Sequence, residues 1–143
     1  MTEFDSQAHC ICGSGKRFGR CCGRFLKGDE QAKTPEQLMR SRYAAYALGG
    51  HGEYLLATWF APMTRGLAAE ALSEKTVDWV KLEVLGKSQK GDSGTVEFRA
   101  WFREPEQDAL QAMHELSTFQ RTGGRWFYVG GEVGAEVDGL ASD

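Results

Sequence analysis

Cys10-Ile11-Cys12, then eight residues, then the adjacent pair Cys21-Cys22 account for all four cysteines of this 143-residue chain. Four thiolates can enclose one Zn²⁺ tetrahedrally, with Zn–S distances of about 2.3 Å. The one-residue spacing lets Cys10 and Cys12 point at a common centre, and Cys21 and Cys22 complete the shell from the next turn. Between them, Gly13-Ser14-Gly15-Lys16 supplies the tight turn, and its glycines leave room for backbone N–H groups to bond sulfur. Four protein ligands leave no position open for substrate, so the expected site is structural. Metal binding would then fold a segment too short to own a hydrophobic core.

Other chemistries fit these residues less well. Two disulfides match the count, but Met1–Gln7 has neither the basic region nor the apolar run of an export signal. A cytoplasmic setting is the expectation, and there clustered cysteines serve as metal ligands or redox groups. A reactive thiol usually works with a single resolving partner rather than three. Gly-Ser-Gly-Lys is not a phosphate loop, which would need glycine at Cys10 and Ser or Thr at Arg17. His9 could substitute as a ligand, but four thiolates make it a bystander. No stretch approaches the ~18 apolar residues of a membrane span.

The net charge of −3 conceals an uneven distribution. Lys16, Arg17, Arg20, Arg24 and Lys27 lie in a stretch without acids, whereas Glu132, Glu136, Asp138 and Asp143 lie in one without bases. The overall balance gives no argument for nucleic acid, and sequence-specific binding to it is not expected. Two readings of the basic patch stand: it neutralises the −2 of a zinc tetrathiolate, or Lys16, Arg17, Arg20 and Arg24 dock on an acidic partner.

The elements behind this knuckle are legible. Residues 1–9 read as a disordered start, 10–27 as the knuckle, 28–33 as a linker, 34–131 as the main domain and 132–143 as an acidic tail. Thr34-Pro35-Glu36-Gln37 opens a helix, with Thr34 as cap, Pro35 in the first turn and Gln37 reaching back in a capping box. Leu38, Arg42, Ala45 and Tyr46 share one face, flanked by Met39, Tyr43 and Ala47, and Gly49-Gly50 ends the run. A second helix is expected over 53–60, halted before Pro62, and a weaker turn over 64–72. The period then falls to two. Thr95–Arg103 turns Val96, Phe98, Ala100 and Phe102 to one face. Asp78–Leu85, with Val80, Leu82 and Val84 on one face and Trp79 and Leu85 complicating the other, Met113–Arg121 and Arg125–Val129 supply three more strands. The expected fold is α+β: a small zinc knuckle, then helices packed on a curved four-stranded antiparallel sheet with a pocket at the open end of the cone.

The string Cys10-x-Cys12-Gly13-Ser14-Gly15-Lys16-x-Phe18-x-x-Cys21-Cys22-Gly23 resembles the SEC-C motif at the carboxyl end of the preprotein translocase motor SecA. That motif usually closes with Cys-His; Cys22 in place of the histidine gives an all-sulfur, softer site. Leu38–Tyr46, Tyr54–Trp59, His114-Glu115-x-Ser117-x-Phe119 and Gly124–Val129 resemble the bacterial YchJ family, so the likeness spans most of residues 10–131. It implies a nuclear transport factor 2-like (cystatin-like) cone behind the knuckle. It also implies zinc, with iron as the other metal considered, and contact of the basic knuckle with a chaperone or the ribosome. Some members carry a second, carboxyl-terminal knuckle; Gly130-Gly131-Glu132 and the acidic residues after it hold no cysteine, so one metal is expected.

Candidates for a ligand site in the cone are Arg40, Arg42, Tyr43, Tyr46 and Trp59 from the helical half. His114, Glu115, Ser117, Trp126 and Tyr128 are those from the strands. A histidine beside a carboxylate could do acid–base work, but neighbours on a strand point to opposite faces. The plainer reading makes Arg40 or Arg42 a strut to Glu115 and the aromatics core. Two functions stand at this point: a non-enzymatic adaptor with a basic docking knuckle, or a small-molecule-binding or enzymatic cone that the knuckle stabilises.

Overall fold

The computed structural model describes residues 7–133. The outer parts of the expected disordered start and acidic tail lie outside the described residues. Behind a 3₁₀ turn at Phe18–Arg20 come α1 (Cys22–Leu26), α2 (Pro35–Leu48), α3 (Gly52–Ala57) and α4 (Ala69–Leu72). The sheet follows as β1 (Asp78–Lys90), β2 (Ser93–Arg103), β3 (Gln111–Thr122) and β4 (Arg125–Val133). It is an antiparallel meander in the order β1-β2-β3-β4. The α+β order expected from the sequence is the one observed.

Helix α2 is the spine. Thr34 Oγ1 accepts the Gln37 N–H at 3.1 Å. Gln37 Oε1 reaches one residue further back than a capping box requires, to the Lys33 N–H at 2.8 Å. Gly49, at φ 75°, ends the helix with its N–H on the Ala45 carbonyl. Most of the helix is buried, because the knuckle, α3 and the sheet each take a face. The small Ser41, Ala44, Ala45 and Ala47 allow that approach.

Three expectations change for reasons that only tertiary contact supplies. Helix α3 ends at Ala57 rather than continuing to Phe60, because residues 58–60 pair with β4: Tyr128 N–H bonds Thr58 O at 2.8 Å and Phe60 N–H bonds Tyr128 O at 2.7 Å. In β1, Val80 does not align with Leu82 and Val84. Register shifts make Val80 and Leu85 the extra residues of two bulges, and both are exposed while Trp79 and Leu82 turn inward. Strand β4 runs past Val129, where a third bulge shifts the register at Thr118/Phe119, and pairs Gly130 with Thr118 and Gly131 with Ser117 before ending opposite Leu116 and Glu115. Bulges increase local twist and bend the strand, which curls this sheet over α2.

Gly131 has a specific task in that extension. A Cβ there would stand 2.0 Å from Glu115 Oε2, whereas one at Gly130 would meet nothing within 4 Å. Gly131→Ala should therefore displace the Glu115 carboxylate and lower stability by roughly 1–3 kcal/mol, the usual cost of overpacking. Gly130→Ala should stay within about 0.5 kcal/mol of the parent. Urea denaturation of both variants checks this; equal midpoints would refute the close approach.

Candidate metal centre and cone cavity

The knuckle folds as a short hairpin. Cys10 N–H bonds Lys16 O at 2.7 Å and Phe18 N–H bonds Ala8 O at 2.8 Å, with His9 and Arg17 forming a bridge between them. Gly13 and Gly15, at φ 82° and 87°, make the turn that a side chain would strain. The 3₁₀ turn then brings Cys21 back, and α1 starts on Cys22. Gly23 packs so closely on Phe18 that a Cβ would stand 2.8 Å from its carbonyl oxygen.

The result is four buried sulfurs within 4.8 Å of one another. Cys12 and Cys21 Sγ are 3.7 Å apart. That is far beyond a disulfide bond of about 2.05 Å. It is close to the edge, about 3.8 Å, of a tetrahedron with 2.3 Å metal–sulfur arms. All four cysteines are free. Their protonation is mutually dependent. Hydrogen bonding to the other thiols pushes Cys22 and Cys10 well above the ordinary thiol range, and thiols donating to Cys21 and Cys12 pull those two down, Cys12 to about 6. Without a cation the cluster must keep protons. A divalent ion at its centre lets every sulfur ionise, so the donor set fits one metal.

A backbone N–H, that of Cys12, bonds the Cys10 sulfur, and polar side chains stand beside Cys12 and Cys21. Ser14 Oγ lies 3.2 Å from Cys21 Sγ. Arg40 Nη1 donates to Cys12 O at 2.8 Å and lies 3.9 Å from Cys12 Sγ. Arg40 Nε holds Glu36 at 2.9 Å, and Glu36 holds Lys87 at 2.6 Å. Lys87 and Arg40 together keep the Glu36 carboxyl below its ordinary range. These contacts run from β1 through α2 to the sulfur cluster. His9, exposed, stands outside the cluster.

The knuckle cations divide into two groups. Lys16, Arg17 and Arg20 are exposed on its outer side. Arg17 also holds the Gln7 carbonyl. Arg24 is half-buried: it donates to Cys21 O at 3.1 Å, pairs with Glu30 at 3.3 Å and stacks over Phe25. Arg24 is therefore a strap between α1 and the 28–33 segment.

Between α2 and the buried sheet face lies a cavity of about 210 Å³. Arg42, Tyr43, Tyr46 and Trp59 line it from the helical side, and Glu115, Ser117 and Tyr128 from the strands. Arg40, His114 and Trp126 do not. Arg40 is two positions from Arg42, about 200° around the helix, and so faces the knuckle. His114 lies across β3 from Glu115, with Nε2 2.6 Å from Glu97 Oε2. Trp126 sits at the hairpin end of β4 under Arg121, beside the 28–33 segment. The candidate set left out Met39, Trp79, Phe98, Ala100, Met113 and Phe119, which also line it. The alternation of β3 carries the signal for the last two; the Val80 bulge hides that for Trp79.

The expected strut from Arg40 or Arg42 to Glu115 does not form. Glu115 Oε2 accepts Ser117 Oγ at 2.7 Å and Tyr128 OH at 3.0 Å. Arg42 Nη1 donates to Leu55 O and Thr58 Oγ1, both at 2.7 Å, and the guanidinium lies over the Trp59 and Tyr128 rings. Burial lowers the Arg42 pKa. Burial, then the nearby carboxylate of Glu115, raises that of Tyr128.

Comparison with known proteins agrees with this architecture. The family described as YchJ, middle NTF2-like domain matches residues 34–131. The UPF0225 protein of Chromobacterium violaceum is 44% identical over 137 residues, covering 92% of this chain and 98% of its own length. That of Streptomyces avermitilis is 41% identical over 134 residues, covering 92% and 89%. A SEC-C motif containing protein from Rhodopseudomonas palustris, solved in solution, superposes with a TM-score of 0.80 at 41% identity, covering 87% of this chain and 97% of that one. The crystal structure of another, from Psychrobacter arcticus, gives 0.76 at 30% identity, covering 90% and 84%. The chain belongs to the YchJ (UPF0225) family.

Protein purified without chelator should carry about one metal ion per chain, and Cys12→Ser should carry almost none. Arg40→Met should keep the stoichiometry but weaken metal retention about 10- to 100-fold, the usual effect of removing a partner behind a ligand. Chelator competition reads the difference. Retention unchanged from the parent would show that Arg40 does not act on the centre.

Proposed function

We propose that this protein is a cytoplasmic, non-enzymatic adaptor whose zinc-stabilised knuckle docks on an acidic surface of the ribosome, a chaperone or the translocation machinery. The observation that carries it is the placement of Lys16, Arg17 and Arg20, exposed together on a hairpin whose shape is set by the sulfur cluster behind it. The sulfur side has its own cation in Arg40, and Arg24 is engaged with Cys21 and Glu30. Charge compensation therefore does not require the outer three. Residues 10–28 contain no acid, so the outer face presents one sign of charge.

Zinc is the preferred ion because a closed four-thiolate shell is a common structural zinc site. Iron is the alternative, since thiolates also suit it. The metal holds the docking face in shape and takes no part in turnover. The non-enzymatic reading is supported by His114 and Glu115, which face opposite sides of β3 and form no acid–base pair. The names of the solved relatives, SEC-C motif containing proteins, are consistent with a knuckle of this kind.

An interaction built on exposed cations weakens with salt, because the screening length is about 10 Å at 0.1 M ionic strength. The protein should co-sediment with purified ribosomes, or be retained on immobilised chaperone, at about 50 mM salt and much less at about 300 mM. Arg17→Glu/Arg20→Glu should lose at least tenfold in affinity with metal content and thermal midpoint unchanged. Equal binding by parent and double variant would reject the basic docking face. Elemental analysis of the same preparation distinguishes zinc from iron.

A further inference from the structure

The cavity behind α2 plays no part in the docking role, and its two ends differ in chemistry. An apolar cavity of about 150 Å³ accommodates one benzene ring. At about 210 Å³ this one has room, by proportion, for about eight or nine non-hydrogen atoms, and it opens to solvent. Strand order separates its walls. Trp79 on β1 pairs with Phe102 on β2 and packs edge-on against Tyr43, 6.0 Å away. Ala100 of β2 faces Met113 of β3 beside them. This end, toward β1, is made of hydrocarbon and ring faces.

The other end lies over β3 and β4, and its polar groups meet around one tyrosine. Tyr128 on β4 donates to Glu115 Oε2 on β3 at 3.0 Å, and its ring centre lies 4.6 Å from the Arg42 guanidinium. Tyr46 is within electrostatic reach of both charges. Glu115 uses Oε2 for both of its hydrogen bonds, from Ser117 and Tyr128, and Arg42 uses Nη1 for both of its own. Glu115 Oε1 and the Nε–Nη2 edge of Arg42 are not shut off from solvent. No ion pair joins the two residues, although both line the cavity.

One cation and one anion, each largely desolvated and not paired with the other, restrict the guest. A lone cation would suit Glu115 but oppose Arg42, and a lone anion the reverse. A guest that carries both charges on neighbouring atoms answers each of them. With the polar part held at β3 and β4, the rest of the guest must be apolar and must fit the volume that remains. Valine and leucine meet that limit, and phenylalanine exceeds it.

We propose that this cavity binds a free α-amino acid with a small apolar side chain, of the size of valine or leucine. Its ammonium group sits on the Glu115 carboxylate and its carboxylate on the open edge of the Arg42 guanidinium. Its side chain points toward Phe98, Met113 and Trp79. The apolar end supplies affinity and the charged end orientation, the usual division of labour in small-molecule sites.

The test uses the full-length, metal-loaded protein and three probes: L-valine, isovalerate, which lacks the ammonium group, and isobutylamine, which lacks the carboxylate. Amide chemical-shift titration should place valine at β2, β3 and β4 around Phe98, Ser117 and Tyr128. Each single-charge probe should bind at least about tenfold more weakly, since it leaves one buried charge unanswered. Glu115→Gln keeps an oxygen for Ser117 and Tyr128 and should fold as the parent does. It should weaken valine at least about tenfold and strengthen isovalerate, because the anion opposing that probe is gone. Absence of cavity shifts with valine up to about 50 mM would overturn the proposal. So would equal affinity of the parent for the three probes, or valine affinity unchanged in Glu115→Gln.

Discussion

Four thiols held within 4.8 Å of one another cannot all ionise unless a cation sits among them, and the front of the chain is organised around that requirement. The hairpin that presents Cys10 and Cys12 and the turn that returns Cys21 and Cys22 enclose little else that is apolar. What they do bury, Phe18 and Phe25 with the cysteines themselves, would not hold some eighteen residues in one conformation. The binding energy of an ion held by the four sulfurs would make up the difference. The knuckle is nevertheless no freely hanging finger. Its sulfurs belong to the same buried cluster as Leu38, Met39 and Tyr43 of α2 and Leu82 of β1. The sulfur cluster is continuous with the core of the cone.

That continuity is concentrated in one helix. Around α2, Arg40 turns to Cys12 while Arg42, Tyr43 and Tyr46 turn to the cavity, and Glu36 ties the first turn to Lys87 on β1. A helix buried on several faces cannot rotate to improve one contact without losing another. The orientation of the sulfur cluster and the shape of the cavity are therefore set together, by a segment whose start is fixed by Thr34 and Pro35 and whose end is fixed by Gly49.

The features that the sequence made legible are those encoded locally. The cysteine spacing, the Thr34-Pro35 helix start and the alternation of Val96, Phe98 and Ala100 each depend on a few adjacent residues, and each stands where it was expected. The opposite facing of His114 and Glu115 followed from the pleat alone. The features that escaped depend on distant partners. Nothing near Trp59 says that Tyr128 will draw it out of a helix, and although Trp79 and Leu85 break the alternation of residues 78–85, only pairing with β2 marks Val80 and Leu85 as bulged. Arg40 is an intermediate case. Helical geometry already separates it from Arg42, but its destination on Cys12 is visible only once the knuckle has docked.

The interior charges show why Arg42 and Glu115 are kept apart. A direct bond between them would draw α2 onto β3 and close the space between. Instead the connection is relayed: Arg42 holds Thr58 Oγ1, Thr58 O holds the Tyr128 N–H, and the Tyr128 hydroxyl holds Glu115, which also takes Ser117. Each link crosses from one element to the next, from α2 to the 58–60 segment, then to β4 and β3. The early end of α3 and the missing side chain of Gly131 are both conditions of this relay, the first freeing Thr58 and the second admitting the Glu115 carboxylate. Buried charges separated in this way cost more in desolvation than a simple pair returns. A sequence selected for compactness alone would replace them with hydrocarbon. The relay is intelligible as a frame that props the cavity walls open and keeps its polar groups turned inward.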